Sequence, residues 1–258
     1  MRKIIIIGGG AAGMTAAIAA ARTNKNTDIC ILEKKDILGK KLLSTGNGRC
    51  NFTNARMDEN CFFSDTPGMI PAVLERFGTE ETLHFFAKLG ILPKSRNGYY
   101  YPQSDQASAV PAVLRREIKR LGIQAETGCT VTAIHRGKKG FRITTEKEVY
   151  HADRVILTTG GKAASVLGSD GSGYSLAKGL GHSIVPVVPA LVQLRVKNHV
   201  LAKAAGVRAD AKVSLYVDGE LKAEDTGELQ LTAYGISGIP VFQISRFGAK
   251  ALYEKKLP

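Results

Sequence analysis

Gly8, Gly10 and Gly13 stand between an apolar run, Ile4-Ile5-Ile6-Ile7, and an alanine-rich stretch that continues to Ala21. Glu33 follows a second apolar run, Ile29-Cys30-Ile31-Leu32. Residues of these types at these spacings suit one task, which is holding a dinucleotide. The first glycine permits the tight turn off a strand, the second lets the backbone approach a pyrophosphate without a Cβ in the way, and the third lets a helix pack closely on the strand. The unpaired N–H groups and the positive end of that helix then face two anionic phosphates. Glu33 lies twenty residues past Gly13, where a carboxylate accepts hydrogen bonds from a ribose hydroxyl. The same carboxylate repels a ribose 2′-phosphate, so this site is not expected to hold NADP.

The elements that must position these residues are a strand over 3–7, a helix over 11–22 and a strand over 28–32, the start of a parallel sheet covered by helices. Residues 39–51 are too rich in Gly, Asn and Lys for a regular element, and a loop with that many backbone donors and cations suits anions. Helical stretches are expected over 70–77 and 80–89, and a short strand over 98–102. A helix over 105–121 follows, with Ser104 as its cap and Val110, Val113, Leu114, Ile118 and Leu121 on one buried face. A strand over 123–127 leads to a meander through 130–135, 140–145 and 148–150. A buried strand from Arg154 then runs into the turn Thr158-Thr159-Gly160-Gly161, and a helix runs over 171–180. Such a meander returning to a strand that ends in Thr-Gly-Gly is a pattern of FAD folds. The fold class expected is therefore α/β, a Rossmann-like FAD-binding domain of the glutathione-reductase type over 1–190. Pro186 and Pro189 punctuate its exit, and 191–258 begin a second, mostly β domain with strands over 191–196 and 213–217 and a turn at Asp218-Gly219.

The chain has 258 residues, 44% of them hydrophobic and 23% charged, ordinary values for a globular protein. Its longest early apolar run, Ile4 to Ile7, stops at glycines, far short of a membrane span or a signal-peptide core, so a cytoplasmic location and no membrane partner are expected. Cys30, Cys50, Cys61 and Cys129 are scattered without a C-x-x-C pair or a His/Cys cluster, which argues against a disulfide framework and a metal site. The net charge of +13 is the one unusual bulk feature. The cations are dispersed, as in Lys34-Lys35, Lys138-Lys139 and Lys255-Lys256, with few aromatics between them and no Trp. That weighs for a solvated surface that attracts an anionic cofactor and against nucleic acid as a partner.

Three stretches together resemble the BaiN/RdsA family of FAD-dependent oxidoreductases, which includes aminoacetone-oxidase-like flavoproteins. They are Ile7-Gly8-Gly9-Gly10-Ala11-Ala12-Gly13, then Lys40-Lys41-Leu42-Leu43-Ser44-Thr45-Gly46-Asn47-Gly48-Arg49-Cys50-Asn51, and Thr159-Gly160-Gly161 with the later Gly171-Ser172-Gly173-Tyr174. Pro189-Ala190-Leu191-Val192 and Gly227-Glu228-Leu229-Gln230-Leu231-Thr232 with Gly235-Ile236-Ser237-Gly238 extend the resemblance over essentially the whole chain. The first motif is common to many flavoproteins, and the second is far more specific. The resemblance implies that Gly8, Gly10, Ala11, Ala12 and Gly13 cradle the pyrophosphate of FAD and that Glu33 with Lys34 hold the adenosine ribose. It further implies that Lys40, Lys41, Leu42, Ser44, Gly46, Asn47, Gly48, Arg49, Cys50 and Asn51 line the pyrophosphate and flavin side. Val131 would contact adenine through its backbone, and Thr159, Gly160 and Gly161 would close the phosphate end. Family members are longer, with a C-terminal segment that returns to the FAD domain, whereas this chain ends at Leu257-Pro258 within what resembles the inserted domain. A truncated chain, a short gene product and contacts supplied from elsewhere are the alternatives.

The activity implied is hydride transfer between bound flavin and a small organic substrate, with NAD(P)H or O2 as second redox partner. No second G-x-G-x-x-G is present, so NAD(P)H would visit only transiently. Arg49 or Lys41 could offset the negative charge that gathers near flavin N1 and O2. No Ser-His-Asp spacing or paired carboxylates mark a separate catalytic group, and His84, His135, His151, His182 and His199 sit in no motif. Cys50 lacks the nearby second thiol that a disulfide reductase needs, which favours packing or flavin contact. Tyr99, Tyr100 and Tyr101 are expected to divide between core and surface. The rivals are a flavin-dependent tRNA-modifying enzyme and a non-catalytic FAD-binding fragment. Oligomeric state is not legible.

Overall fold

The computed structural model describes residues 1–66, 68–198 and 200–255. His199 and Lys256, both singled out above, lie outside the described residues. The chain divides into two compact units, Met1–Ile184 and Val185–Pro258, with the division a few residues ahead of the boundary expected at 190.

The first unit opens with β1 (Arg2–Ile7), α1 (Ala11–Thr23) and β2 (Thr27–Leu32). Short 3-10 turns over Lys40–Gly48 lead to β3 (Thr53–Asn54), α2 (Met69–Leu74), α3 (Thr79–Lys88), β4 (Pro93–Arg96), β5 (Tyr99–Pro102), α4 (Ala109–Arg120) and β6 (Gln124–Glu126). The meander β7 (Val131–Gly137), β8 (Gly140–Thr145) and β9 (Val149–Ala152) returns through β10 (Arg154–Leu157) to α5 (Ser172–Gly179). A parallel sheet in the order β10-β1-β2-β6 is the frame. Ile5, Ile6 and Ile31 within it are fully buried, because helices cover one face of a parallel sheet and other structure the opposite one. Ile6 and Ile31 pack with Met14, Ile18, Val110 and Leu114 of α1 and α4. On the other face Ile5, Cys30 and Leu32 pack with Ile134 and Ile143 of the meander.

Several sequence expectations shift. The long helix begins at Ala109, not at residue 105, and Ser108 stands at its N-cap with no side-chain cap bond. Asp105 takes a left-handed φ of 54°, which a helix cannot continue through, so Ser104 is left in the preceding turn. Its apolar face is as expected, with Val110, Leu114 and Ile118 buried. The strand at 98–102 has a partner that went unread, β4, joined through Asn97-Gly98 with φ of 52° and 83°. Residues 39–51 do contain local order, two 3-10 segments broken by non-helical angles at Thr45, Gly46 and Asn47.

The second unit is an antiparallel sheet in the order β11-β14-β13-β12. Its strands are β11 (Leu194–Arg195), β12 (Arg208–Val217), β13 (Glu220–Thr232) and β14 (Gly235–Gly238), and α6 (Ile239–Glu254) packs on it. The strand expected over 191–196 shrinks to two residues, because β14 offers it only Ile236 and Gly235 as partners. Asp218 and Gly219 both take positive φ, the pair of conformations a two-residue hairpin needs. Helix α6 was not legible as a helix, although Pro240 in its first turn is a start signal. Among the described residues, no helix is long and apolar enough to cross a membrane, and no group of three His, Cys, Asp or Glu could hold a metal.

Candidate functional site: a glycine turn and a cleft at the carboxyl ends of the parallel strands

The three motif glycines do three separable jobs. Gly8 has φ +103°, and a Cβ there would sit 2.6 Å from Thr158 O. Its N–H donates to Leu32 O at 2.8 Å, and Thr158 Oγ1 donates to its carbonyl at 2.8 Å. The turn is thereby welded to both neighbouring strands. At Gly13 a Cβ would fall 1.9 Å from Gly8 O and 2.8 Å from Thr158 Oγ1, so close packing of α1 on the turn admits only hydrogen. Gly10 differs, for a Cβ there would meet nothing within 4 Å. It is the N-cap of α1, extended at φ −75° and ψ −166°, and has no side-chain cap bond. The open space lies at the exposed first turn formed by Ala11 and Ala12, where a helix offers backbone donors to an anion.

The Glu33 carboxylate accepts the Gly9 N–H at 2.6 Å and the Lys35 N–H at 2.8 Å. Those bonds fix its orientation beside the turn, and two carboxylate oxygens retain lone pairs for further donors. Gly8, Glu33, Lys34, Val131 and Thr159 line one cleft with Ser172. Lys34 reaches across to Asp170 at 2.5 Å, and this ammonium, with the Ser172 N–H, holds the Asp170 carboxyl well below the usual carboxylate range. Lys41 Nζ donates to the buried Ser169 Oγ at 2.8 Å, whereas Lys40 pairs with Asp36 at 2.6 Å on the surface. The Thr159–Gly161 turn is closed by the segment after it. Gly171 N donates to Gly161 O at 3.1 Å, and a Cβ on Gly173 would fall 1.9 Å from Thr159 Oγ1.

The loop 44–51 has different supports. Among the described residues none of it lines that cleft. Gly46 and Asn47 take left-handed φ of 55° and 53°, and a Cβ on Gly46 would meet Asn51 N at 2.6 Å and Tyr101 Cε1 at 3.5 Å. Gly48 O accepts the Ala107 N–H at 2.8 Å. Asn51 Nδ2 donates to Thr53 O at 2.8 Å and Tyr100 O at 3.0 Å. Ser44 Oγ donates to Lys41 O, and Leu42 packs against the core. Arg49 adds its charge to those of Lys94 and Arg96 around Asp105. Cys50 is buried within the core, and burial pushes its thiol up, against a smaller opposing hydrogen bond from Thr45. Burial of this kind disfavours the thiolate form. The segment leading into this loop meets the turn where Gly39 N donates to Gly9 O at 2.8 Å.

Thr158, Ser169 and Asp170 were missed in the sequence. Their signal was faint, a Thr before Thr-Gly-Gly and a Ser-Asp before the second glycine cluster. His84, His135, His151 and His182 are exposed and outside the cleft.

A family model described as the HI0933-like protein Rossmann domain matches residues 2–246. The chain is 57% identical over 256 residues to the 3-dehydro-bile acid delta(4,6)-reductase of Clostridium scindens, covering 99% of this chain and 63% of that one. It is 26% identical over 243 residues to the ribosomal RNA dihydrouridine synthase of Escherichia coli, covering 94% of this chain and 60% of that one. The chain thus spans about three-fifths of the curated relatives it matches. Among solved structures, the 3-ketosteroid-delta4-(5alpha)-dehydrogenase of Rhodococcus jostii superposes with a TM-score of 0.53 at 17% identity, covering 70% of this chain and 55% of that one. That likeness is one of fold, and it agrees with a Rossmann-like domain of helices around a parallel sheet. The chain belongs to the HI0933-like family of Rossmann-domain proteins, the family its three motifs resemble.

Proposed function

We propose that this chain carries the flavin-holding part of an FAD-dependent oxidoreductase that passes hydride between the flavin and a small organic substrate, with NAD(P)H or O2 as second redox partner. The observation that carries the reading is Gly10, the one motif glycine whose missing side chain leaves open space rather than protein, at an uncapped helix N-terminus. An FAD pyrophosphate fits there, held by the backbone N–H groups of Ala11, Ala12 and Gly13 and by the helix dipole. Glu33, already oriented by Gly9 and Lys35, would accept the ribose hydroxyls, with Lys34 alongside. Val131 would meet the adenine, and Thr159, Gly160 and Gly161 would close the phosphate end. Lys40, Lys41, Leu42, Ser44 and the 46–51 loop would face the flavin side, with Lys41 or Arg49 offsetting negative charge there. Bound flavin supplies the hydride chemistry, which the protein positions and tunes. No residue of this chain is assigned as an acid or base.

The Clostridium scindens relative is named for reduction of an oxidised bile acid, so an unsaturated oxo-steroid acid is the first substrate class to test. Four free cysteines, three of them buried, fit a reducing compartment such as the cytoplasm. A second reading, reduction of a base in RNA, draws on the relatives named ribosomal RNA dihydrouridine synthase and on the +13 charge. The test is an anaerobic absorbance spectrum of the chain incubated with FAD and desalted, then mixed with NADH or NADPH, and finally with the oxo-steroid acid. Retained flavin peaks that bleach with the nucleotide and return with the steroid support the reading. Retained peaks that no donor bleaches identify a binding-only fragment, and reoxidation by unmodified RNA instead of the steroid identifies the second reading.

A further inference from the structure

The other end of the same parallel sheet carries a second cavity, of about 560 Å³, on the meander side. It begins at Lys3, five residues before Gly8 and so roughly 16 Å away along an extended strand. Lys3, His135, Arg136, Lys139, Arg142 and His151 line it. The strand register explains the convergence. Arg142 of β8 lies opposite His135 of β7 on one side and His151 of β9 on the other, and directly opposed residues share a face with Cβ atoms about 5 Å apart. All three are exposed, while Ile134 and Ile143 beside them turn into the core. Three strands thus place His135, Arg142 and His151 in one row, while Arg136, opposite Phe141 on the alternate face of β7, and Lys139 of the following turn also line the cavity.

Negative charge in this cavity is scarce. Its lining holds one acid, Asp153, whose Oδ2 already accepts the Lys3 backbone N–H at 2.7 Å. Lys3 Nζ lies 3.7 Å from Asp28, but among the described residues no carboxylate pairs with Arg136, Lys139 or Arg142. Arg136, Lys139 and Arg142 are thus without a counter-charge at the cavity, which a multiply charged anion seated among them supplies. Guanidinium forks make paired bonds to phosphate oxygens, and the volume is that of a small-molecule site.

We propose that this cavity is a site for a di- or triphosphate group, separate from the dinucleotide turn and independent of the flavin reading. Phosphate chains reach it from two sources, inorganic polyphosphate and nucleoside polyphosphates, and the experiment separates them. Calorimetric titrations of the chain with inorganic triphosphate and with ATP, each with and without excess FAD, are compared for wild type, Arg136→Ala/Arg142→Ala and Lys119→Ala. Lys119 is an exposed cation of α4 outside the cavity, and Lys119→Ala tests whether losing a cation elsewhere weakens binding as well. Both anions should bind the wild type with FAD present, the double variant at least tenfold more weakly, and Lys119→Ala within twofold of wild type, with near-ultraviolet circular dichroism unchanged in each. Tighter binding of ATP than of triphosphate means the nucleoside is also held, and equal binding means the phosphate chain alone is read. The proposal is overturned by absence of heat with both anions, by equal weakening in Lys119→Ala and the double variant, or by displacement of the anion by FAD.

Discussion

The glycine turn at 8–13 and the loop at 44–51 are both glycine-rich, both follow strands of the first unit, and both are assigned to the same cofactor, yet they are built on different principles. In the turn, Gly8 and Gly13 are compelled by backbone contact, since a Cβ would strike Thr158 O or Gly8 O. Gly10 alone is free. In the loop, Gly46 and Asn47 take left-handed backbone angles, Gly46 with a contact of its own at Asn51 N, and hydrogen bonds from Asn51 Nδ2 to Tyr100 O and from the Ala107 N–H to Gly48 O hold the path. Both use contact and backbone angle, but the turn's tightest constraint is steric, at Gly13, and the loop's is conformational, with two successive left-handed residues. Substitution should therefore destabilise the turn more than the loop.

The largest effect is expected at Gly13. Gly13→Ala drives a methyl into backbone that cannot yield, and should cost about 3 kcal/mol, read as a lower urea midpoint. Next comes the ion cluster at the other end of α1. Glu117 of α4 is nearly buried and bonds Arg120 at 2.6 Å and Arg22 of α1 at 2.9 Å. Arg120 first, then Arg22, hold its carboxyl down at about 2 against burial's opposing push. Because the folded pKa is depressed, the stabilisation is full above about pH 4.5 and is lost as pH falls towards 2. Glu117→Gln should cost roughly 2 kcal/mol at pH 7, and the gap from wild type should shrink between pH 4.5 and the acid limit, as urea titrations at several pH values would show.

In the loop, Gly46→Ala meets both a positive φ and Asn51 N and should cost about 1–2 kcal/mol. Asn47→Gly relieves a left-handed non-glycine residue and should change stability by less than about 1 kcal/mol. A loop variant that destabilised more than Gly13→Ala would break the comparison.

The same contrast explains what the sequence disclosed. The turn was legible because each constraint is a residue type at a fixed offset, with Glu33 twenty residues beyond Gly13. The parallel strands and the face of α4 were legible because Ile5, Ile6, Val110, Leu114 and Ile118 repeat at the period of a buried element. The hairpin β4–β5 was only half visible, for Lys94, Ser95 and Arg96 carry no apolar alternation and only Asn97-Gly98 marked the turn. Strand β13 hid for the same reason, with Glu220, Lys222, Glu224 and Asp225 spread along it. In the candidate site, the pairing of Lys34 with Asp170 and of Lys41 with Ser169 joins residues more than a hundred positions apart, which no local pattern encodes.

The central claim is that the open space at Gly10 is where a pyrophosphate sits. Its most direct measurement is an FAD titration of the wild type and Gly10→Ala side by side, each with its urea unfolding midpoint. The account predicts that Gly10→Ala, an allowed substitution at φ −75°, keeps stability within about 1 kcal/mol while FAD affinity falls about tenfold or more, about 1.4 kcal/mol of binding. Equal FAD affinity in two equally folded proteins, or no FAD binding by the folded wild type, would contradict it.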